Sequence, residues 1–281
     1  MSSLSHRLGQ RWRIAATFAA AGSGWTDRLR LRWAGLARMR PFAGGSLYAR
    51  MGRLIGREVE PRLRGAGDAH VHLDLTALTD LMILEEIFLD GIYPLEEVPF
   101  TPGLVVDCGA CAGLFTLLAH GRFPSAQLHL FEPEPANLAR LRRNLALNHL
   151  PAVVHAAAVG LRTGRASFSG QGFGGHLTTA ATPEAIEVEV ADLPAFLRAN
   201  PGQNLLLKID IEGAEADLLP GLAPVLPPCT ALFLETHQAE SCWQEFIQPL
   251  LQAGFTRREI RRRPGEAAGI EYVEHLLLRN Q

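Results

Sequence analysis

The chain has 281 residues, 47 % of them hydrophobic and 20 % charged, with a formal net charge of −2. That is enough apolar material for one large domain, or for a domain with an appendage. Cys108, Cys111, Cys229 and Cys242 are too few and too scattered for a disulfide framework, and no apolar run reaches membrane-spanning length. The longest early run, residues 14–22, lacks a signal-peptide cleavage pattern, so the expectation is a cytoplasmic protein.

The near-neutral total hides an asymmetry. Residues 1–65 carry 13 arginines against Asp27, Glu58 and Glu60, so this segment is about +10 and the remainder about −12. Arg28, Arg30, Arg32, Arg38 and Arg40 interleave with Trp25, Leu29, Leu31, Trp33 and Leu36, the pattern of a basic amphipathic helix. Residues 1–65 are therefore read as a basic, partly helical N-terminal extension. It is either docked or weakly ordered, or else contacts a membrane surface or a protein, while a nucleic-acid partner is disfavoured. Residues 66–281 form the main domain. There His70-Val-His-Leu-Asp-Leu75 alternates like a strand, with His70 and His72 expected to be half exposed. Thr76 and Thr79 are candidate caps for a helix over 78–89, which Asp90-Gly91 stops and Tyr93 closes.

Leu104-Val-Val-Asp-Cys-Gly-Ala-Cys-Ala-Gly-Leu-Phe115 reads as a buried strand, a glycine turn and a helix start. In an open α/β sheet such a turn takes a small ligand outside the strand's carboxyl end. A dinucleotide turn needs a second glycine where this chain has Cys111, which disfavours a nicotinamide dehydrogenase. Asp107 accepts hydrogen bonds and suits an ammonium or hydroxyls better than phosphates. The next strand, 128–131, exits into Glu132-Pro133, and Glu132 is placed to accept two ribose hydroxyls. Gly109, Ala110, Gly113 and Glu132 around Asp107 thus favour S-adenosylmethionine. Cys108 and Cys111 form a C-x-x-C, but no second pair completes a zinc set and no exposed helix-start pair supports redox chemistry.

Beyond this, 137–147 reads as a helix and 152–159 as a third strand ending at Gly160, which makes Ala157 and Ala158 candidate walls of an adenine pocket. Residues 164–168 read as a hairpin edge, 170–175 as a glycine-rich loop, 186–190 as a strand and 192–198 as a short helix. Leu205-Leu-Leu-Lys-Ile-Asp-Ile-Glu-Gly-Ala-Glu215 is a second strand and turn, with Asp210, Glu212 and Glu215 gathered at its exit. Stability gives no reason to gather like charges there, so the cluster points to function. Lys208 is the chain's single lysine, a compact ammonium beside Asp210. The strand Ala231–His237 delivers Glu235 and His237 to the same crevice. His237 is a candidate general base. Asp210, Glu212, Glu235 and His237 form an alternative oxygen and imidazole set for a divalent metal such as magnesium, although no spacing demands one. Phe255, Arg257–Arg263 and Tyr272–Leu278 close the chain as an antiparallel hairpin.

Val106-Asp-Cys-Gly-Ala-Cys-Ala-Gly113, Phe131-Glu-Pro-Glu-Pro-Ala-Asn137, Asn144-Leu-Ala-Leu-Asn148, Ala158-Val-Gly160 and Leu207-Lys-Ile-Asp-Ile-Glu-Gly-Ala-Glu215 occur in this order over roughly residues 70–240. Together they resemble the FkbM family of S-adenosylmethionine-dependent methyltransferases. Cys111 departs from the asparagine usual there. The resemblance implies a doubly wound, mostly parallel α/β sheet of the Rossmann-like methyltransferase type. It also implies an O-methyltransferase acting on a small-molecule hydroxyl of a sugar or natural product. Asp107, Gly109, Ala110, Gly113, Glu132, Pro133, Ala158 and Asp210 are the candidate cofactor residues, and His237, Asp210, Glu212 and Lys208 the candidate catalytic ones. Alternatives are a methyltransferase of RNA or protein recruited by the basic extension, or an inactive cofactor-binding partner.

Overall fold

Short apolar runs supply the strands of a seven-stranded sheet: β1 Leu104–Cys108, β2 Gln127–Phe131, β3 Val153–His155, β4 Leu205–Ile209, β5 Thr230–Ala239, β6 Thr256–Pro264 and β7 Ile270–Arg279. The computed structural model describes residues 13–38, 58–74, 78–169, 176–178, 185–201, 204–239, 243–264 and 270–279. The sheet order is β6-β7-β5-β4-β1-β2-β3. β1 to β5 run parallel, and β7 joins β5 antiparallel, with β6 outside it. This is the expected doubly wound α/β sheet with its closing hairpin. Every position of β1 and β4 is buried, so these central strands read as unbroken apolar runs rather than alternating ones. The chain leaves β1 outward through β2 and β3, then returns to β4 on the other side. The carboxyl ends of β1 and β4 are therefore the topological switch point where such sheets bind ligands.

Two units can be distinguished, one of residues 1–91, 112–122 and 142–150 and one of residues 92–111, 123–141 and 151–281. In the first, residues 13–20 and α1, Trp25–Arg38, are helical. Leu31 and Ala34 of α1 are buried, while Trp25 and Leu29 are exposed. Two short ladders follow, Glu58–Val59 with Leu73–Asp74 and Arg62–Leu63 with Ala69–His70. α2, Leu78–Leu84, continues into a π-helical turn over Glu85–Leu89 rather than as one regular helix. His72 is only 6 % exposed, which corrects the half-exposed reading. Its backbone N–H donates to Asn144 Oδ1 at 2.7 Å, drawing that residue inward. Asn144 Nδ2 in turn donates to the Ala112 carbonyl at 2.8 Å, and Asn148 exchanges bonds with both backbone groups of His70. The two asparagines of the Asn144–Asn148 motif therefore tie a helix to the lead-in strands.

In the second unit the third strand departs from expectation. Residues 152–159 do not form one strand: β3 ends at His155, whose carbonyl accepts the Glu132 N–H at 3.1 Å. The chain then leaves the main sheet, and Ala158–Gly160 pairs instead with Ile186–Asp192 in a separate four-stranded sheet. That sheet also holds the hairpin of Gly164–Ser169 and His176–Thr178. Ala158 is buried there with Phe168 and Val188. Asp192 caps the helix α3, Leu193–Ala199, by accepting from Ala195 N–H at 2.7 Å. The main core of this unit joins Val106, Leu207 and Leu232 to Leu218, Leu222 and Leu250 of the flanking helices.

Thr76, Arg40, Cys242 and the glycine-rich stretch 170–175 lie outside the described residues. Among the described residues, Cys108, Cys111 and Cys229 are in no disulfide. Among the described residues no helix is long and apolar enough to cross a membrane.

Candidate active site

β1 ends in Asp107 and Cys108, and Gly109 turns the chain with φ +76. A Cβ at Gly109 would lie 1.8 Å from the Asp210 carbonyl oxygen. Both the backbone angle and the contact require glycine. The Gly109 and Ala110 N–H groups donate to the Phe131 carbonyl at 3.0 and 3.1 Å, which joins the turn to the exit of β2. Cys111 is also left-handed, with φ +49. Asparagine tolerates that conformation better than cysteine, which gives the family's usual residue there a physical reason. Further along, Gly113 has φ +82 and lies in the other unit.

Glu132 is 3 % exposed and held by three donors. Its Oε2 accepts Cys111 N–H at 2.8 Å, and its Oε1 accepts Glu134 N–H at 2.8 Å and Asn137 Nδ2 at 3.4 Å. Burial raises its pKa, and these hydrogen bonds partly offset the rise. Each carboxylate oxygen has more than one acceptor position, so the anchoring leaves acceptor capacity on Oε2 for a ligand hydroxyl. Pro133 beside it is half buried.

Lys208 crosses from β4 to this turn. Its Nζ donates to the Gly109 carbonyl at 2.8 Å and sits 3.5 Å from Asp107 Oδ1 and 3.3 Å from Asp210 Oδ2. Burial alone would lower the pKa of its ammonium. The surrounding Tyr93, Asp210 and Asp107 carry it well above its ordinary value. Asp107 itself is fully buried. Lys208 therefore ties the glycine turn to the two aspartates as a fixed positive charge.

The exit of β4 is held from below by Glu215, the first residue of the helix α4, Glu215–Leu222. The loop before it is unusual: Glu212 has φ +54 and Gly213 φ +106. Glu215, fully buried, accepts Ile211 N–H at 3.1 Å and Gly213 N–H at 3.0 Å. The same carboxylate is 3.1 Å from His237 Nδ1, on β5. The imidazole is thereby oriented with Nε2 toward Glu212 Oε2 at 3.4 Å, Glu235 Oε1 at 3.6 Å and Asp210 Oδ1 at 3.9 Å. Glu235 is spoken for by Arg263, at 2.8 Å. Tyr272 packs edge-on against His237, with ring centroids 4.9 Å apart.

Burial opposes the charged form of His237, but the hydrogen bond to Glu215 and the charges of Glu215, Glu235 and Glu212 raise its pKa to about 10. Burial, followed by the Asp210 charge, raises Glu212 to about 8. The resting His237 is thus an imidazolium. A neutral imidazole there requires added positive charge beside it, which lowers its pKa.

Asp107, Gly109, Ala110, Lys208, Asp210, Glu212 and His237 thus converge on the ends of β1, β4 and β5, with Glu132 at the neighbouring exit. Ala158 does not join them, since it lies in the core of the second sheet. Sequence reasoning counted Glu215 among the crevice acids, whereas it is the buried orienting group. It also passed over Asn137 and Arg263. The one legible sign for Glu215 was its place in the first turn of a helix, where an acid favours capping free N–H groups.

Residues 107–257 match the family model described as Methyltransferase FkbM domain. The chain is 30 % identical to Methyltransferase sdnD of Sordaria araneosa over 183 residues, covering 50 % of this chain and 68 % of that protein. It is 29 % identical over 233 residues to the 31-O-demethyl-FK506 methyltransferase FkbM of Streptomyces tacrolimicus, covering 68 % and 86 %. Among solved structures it is similar to a methyltransferase FkbM of Methylobacillus flagellatus, with 15 % identity and a TM-score of 0.45 over 95 % of this chain and 60 % of that one.

Proposed function

This chain belongs to the FkbM methyltransferase family, an S-adenosylmethionine-dependent enzyme family, and on that premise we propose that it methylates a hydroxyl oxygen of a small molecule, a sugar or a hydroxylated natural product. The observation that carries this reading is the switch-point cluster. A glycine turn stands against the Asp210 carbonyl, and the partly exposed carboxylates of Asp210 and Glu212 stand beside it. An activated methyl on a sulfonium is what the cofactor supplies when bound. The donor set fits a phosphate-free cation: the groups presented are carboxylates, and the turn's lysine is already engaged by backbone and aspartates.

The chain's own part is alignment and proton handling. Gly109 and Ala110 fix the turn against β2, and Glu132 presents acceptor capacity for ribose hydroxyls. Asp210 and Glu212 face the acceptor. Asp210 is placed to take the hydroxyl's proton in the methyl transfer that a bound cofactor would supply. His237 enters as an imidazolium held by Glu215. It keeps the acids in place and takes part in proton transfer once positive charge arrives beside it. The relative from Streptomyces tacrolimicus, named a 31-O-demethyl-FK506 methyltransferase, supports an oxygen acceptor.

Calorimetric titration with S-adenosylmethionine, S-adenosylhomocysteine and NAD tests the cofactor. Micromolar binding of both adenosyl ligands, weakened at least tenfold in Glu132→Ala, is the expected result, whereas a preference for NAD overturns the reading. Incubation with a panel of polyhydroxylated small molecules, RNA and protein, followed by mass analysis of products, tests the acceptor. Methyl incorporation confined to RNA or protein overturns the small-molecule assignment.

A further inference from the structure

We propose that Asp210, Glu212 and His237 form a binding site for one hard or borderline divalent cation, Mg2+ or Mn2+. This deepens the reading of the same site as the acceptor end of a methyltransferase. One potential ligand atom from each of the three lies within 4.8 Å of the others. Oxygen and nitrogen atoms bound to a common small cation at roughly 2.1 Å stand about 3–4 Å apart, so the set needs little movement to close on an ion.

The histidine is the independent sign. Its side chain is 7 % exposed, and its Nδ1 is already engaged by the Glu215 carboxylate at 3.1 Å. Its Nε2 is aimed at carboxylate oxygens of Glu212, Glu235 and Asp210, 3.4 to 3.9 Å away. A carboxylate on one ring nitrogen, with the other aimed at oxygen ligands, is the arrangement by which proteins orient a metal-binding imidazole. Glu215 would then be a positioning residue. It also holds the Ile211 and Gly213 N–H groups and so fixes the loop that carries the other two ligands.

The competing partners are already assigned. Lys208 engages Asp210 Oδ2, leaving Oδ1 on the histidine side, and Arg263 engages Glu235. That leaves Asp210 and Glu212, whose side chains are 19 % and 21 % exposed, as the acids open to both the ion and solvent. Two carboxylates and one imidazole leave coordination positions for water or for a chelating acceptor. The acceptor class the site suits is therefore a vicinal diol or a hydroxyl beside a carbonyl, since both oxygens of such a group bind one ion together.

The test uses the full-length chain freed of metal by chelation and titrated with Mn2+, followed by electron paramagnetic resonance and calorimetry, with no acceptor present. The expected result is saturable binding of one equivalent, weakened at least tenfold in both Glu212→Gln and Asp210→Asn. Glu212→Gln preserves shape at a partly exposed position, and its thermal melt verifies folding. Absence of saturable binding into the millimolar range, or equal binding by the wild type and both variants, overturns the site. S-adenosylmethionine titrated into the same metal-free protein separates the two conclusions. Cofactor binding without Mn2+ binding sinks only the metal site, and Mn2+ binding without cofactor binding sinks only the methyltransferase reading of this chain.

Discussion

Two buried histidines on neighbouring strands of one sheet sit in opposite surroundings. His237 on β5 faces Glu215, Glu235 and Glu212, and its pKa is raised to about 10. His275 on β7, fully buried, accepts from Arg257 Nε at 2.9 Å on its Nδ1, and its pKa is lowered to about 3, first by burial and then by the arginine charge. Burial pushes both toward the neutral form, so burial does not distinguish them. The sign is set by which charges the adjoining segments deliver. Positive charge at the hairpin holds a neutral, structural histidine. The acids at the ends of β4 and β5 hold a charged one in the site.

The largest expected effect comes from removing the group that makes this difference. Glu215→Ala leaves His237 and two backbone N–H groups in the interior without their acceptor, and it should cost about 3–5 kcal/mol of stability. Chemical denaturation measures this. A loss below about 1 kcal/mol would mean that Glu215 is not what holds the loop and the histidine.

Next in size is the acid leg of His275. Its folded pKa lies below the unfolded value of about 6.5, so its stabilisation is fully present above that pH and is lost as pH falls toward 3. The unfolding free energy from urea titrations should drop by on the order of 2 kcal/mol between about pH 6.5 and about pH 4.5. His275→Gln should show a shallower decline. An equal decline in both proteins would show that His275 does not carry this acid dependence.

The alkaline leg of His237 runs the other way. Its folded pKa exceeds the unfolded one, so its contribution is complete below about pH 6.5 and disappears as pH rises through about 10. Glu212, raised to about 8, acts with the same sign between its ordinary carboxylate range and that value. Chelated protein should lose roughly 1 kcal/mol per pH unit above neutrality. The imidazole proton resonances should titrate far above those of an exposed histidine, and a His237 resonance titrating near pH 6.5 would break the comparison.

The smallest effect is the control. Arg165 pairs with Glu187 and Glu189 at 2.7 and 2.9 Å, with every partner more than half exposed. Water screens such pairs, so Glu189→Gln should leave the denaturation midpoint within experimental scatter of the wild type. A larger change would show that charge alone, rather than charge in a desolvated site, sets the scale.

Much of this was written in the sequence because it is local. The alternation of β1, Gly109, helix and Glu132 follows from runs of apolar residues broken by glycine. The acids after β4 and β5 stand within a few residues of their strands, so their arrival at the switch point was legible. The break after His155 was not, because a ladder ends where its partner strand runs out of groups to pair, and 152–159 contains no residue that forbids a strand. Nor was the burial of His72, which depends on Asn144, 72 residues away.

By itself, then, the sequence determined the parallel sheet, the place of the glycine turn, the closing hairpin and the set of acids at the strand exits. All of these depend on periodicity and on neighbours in the chain. Only the tertiary structure decided which acids are occupied and which are open. Glu215 is buried beneath the loop, Glu235 is held by Arg263 from the hairpin, and Asp107 is matched to Lys208, while Asp210 and Glu212 face outward. It also decided the opposite pKa shifts of His237 and His275. Desolvation makes each ionisable group depend on the few partners within about 4 Å, and those partners come from segments far apart in the chain.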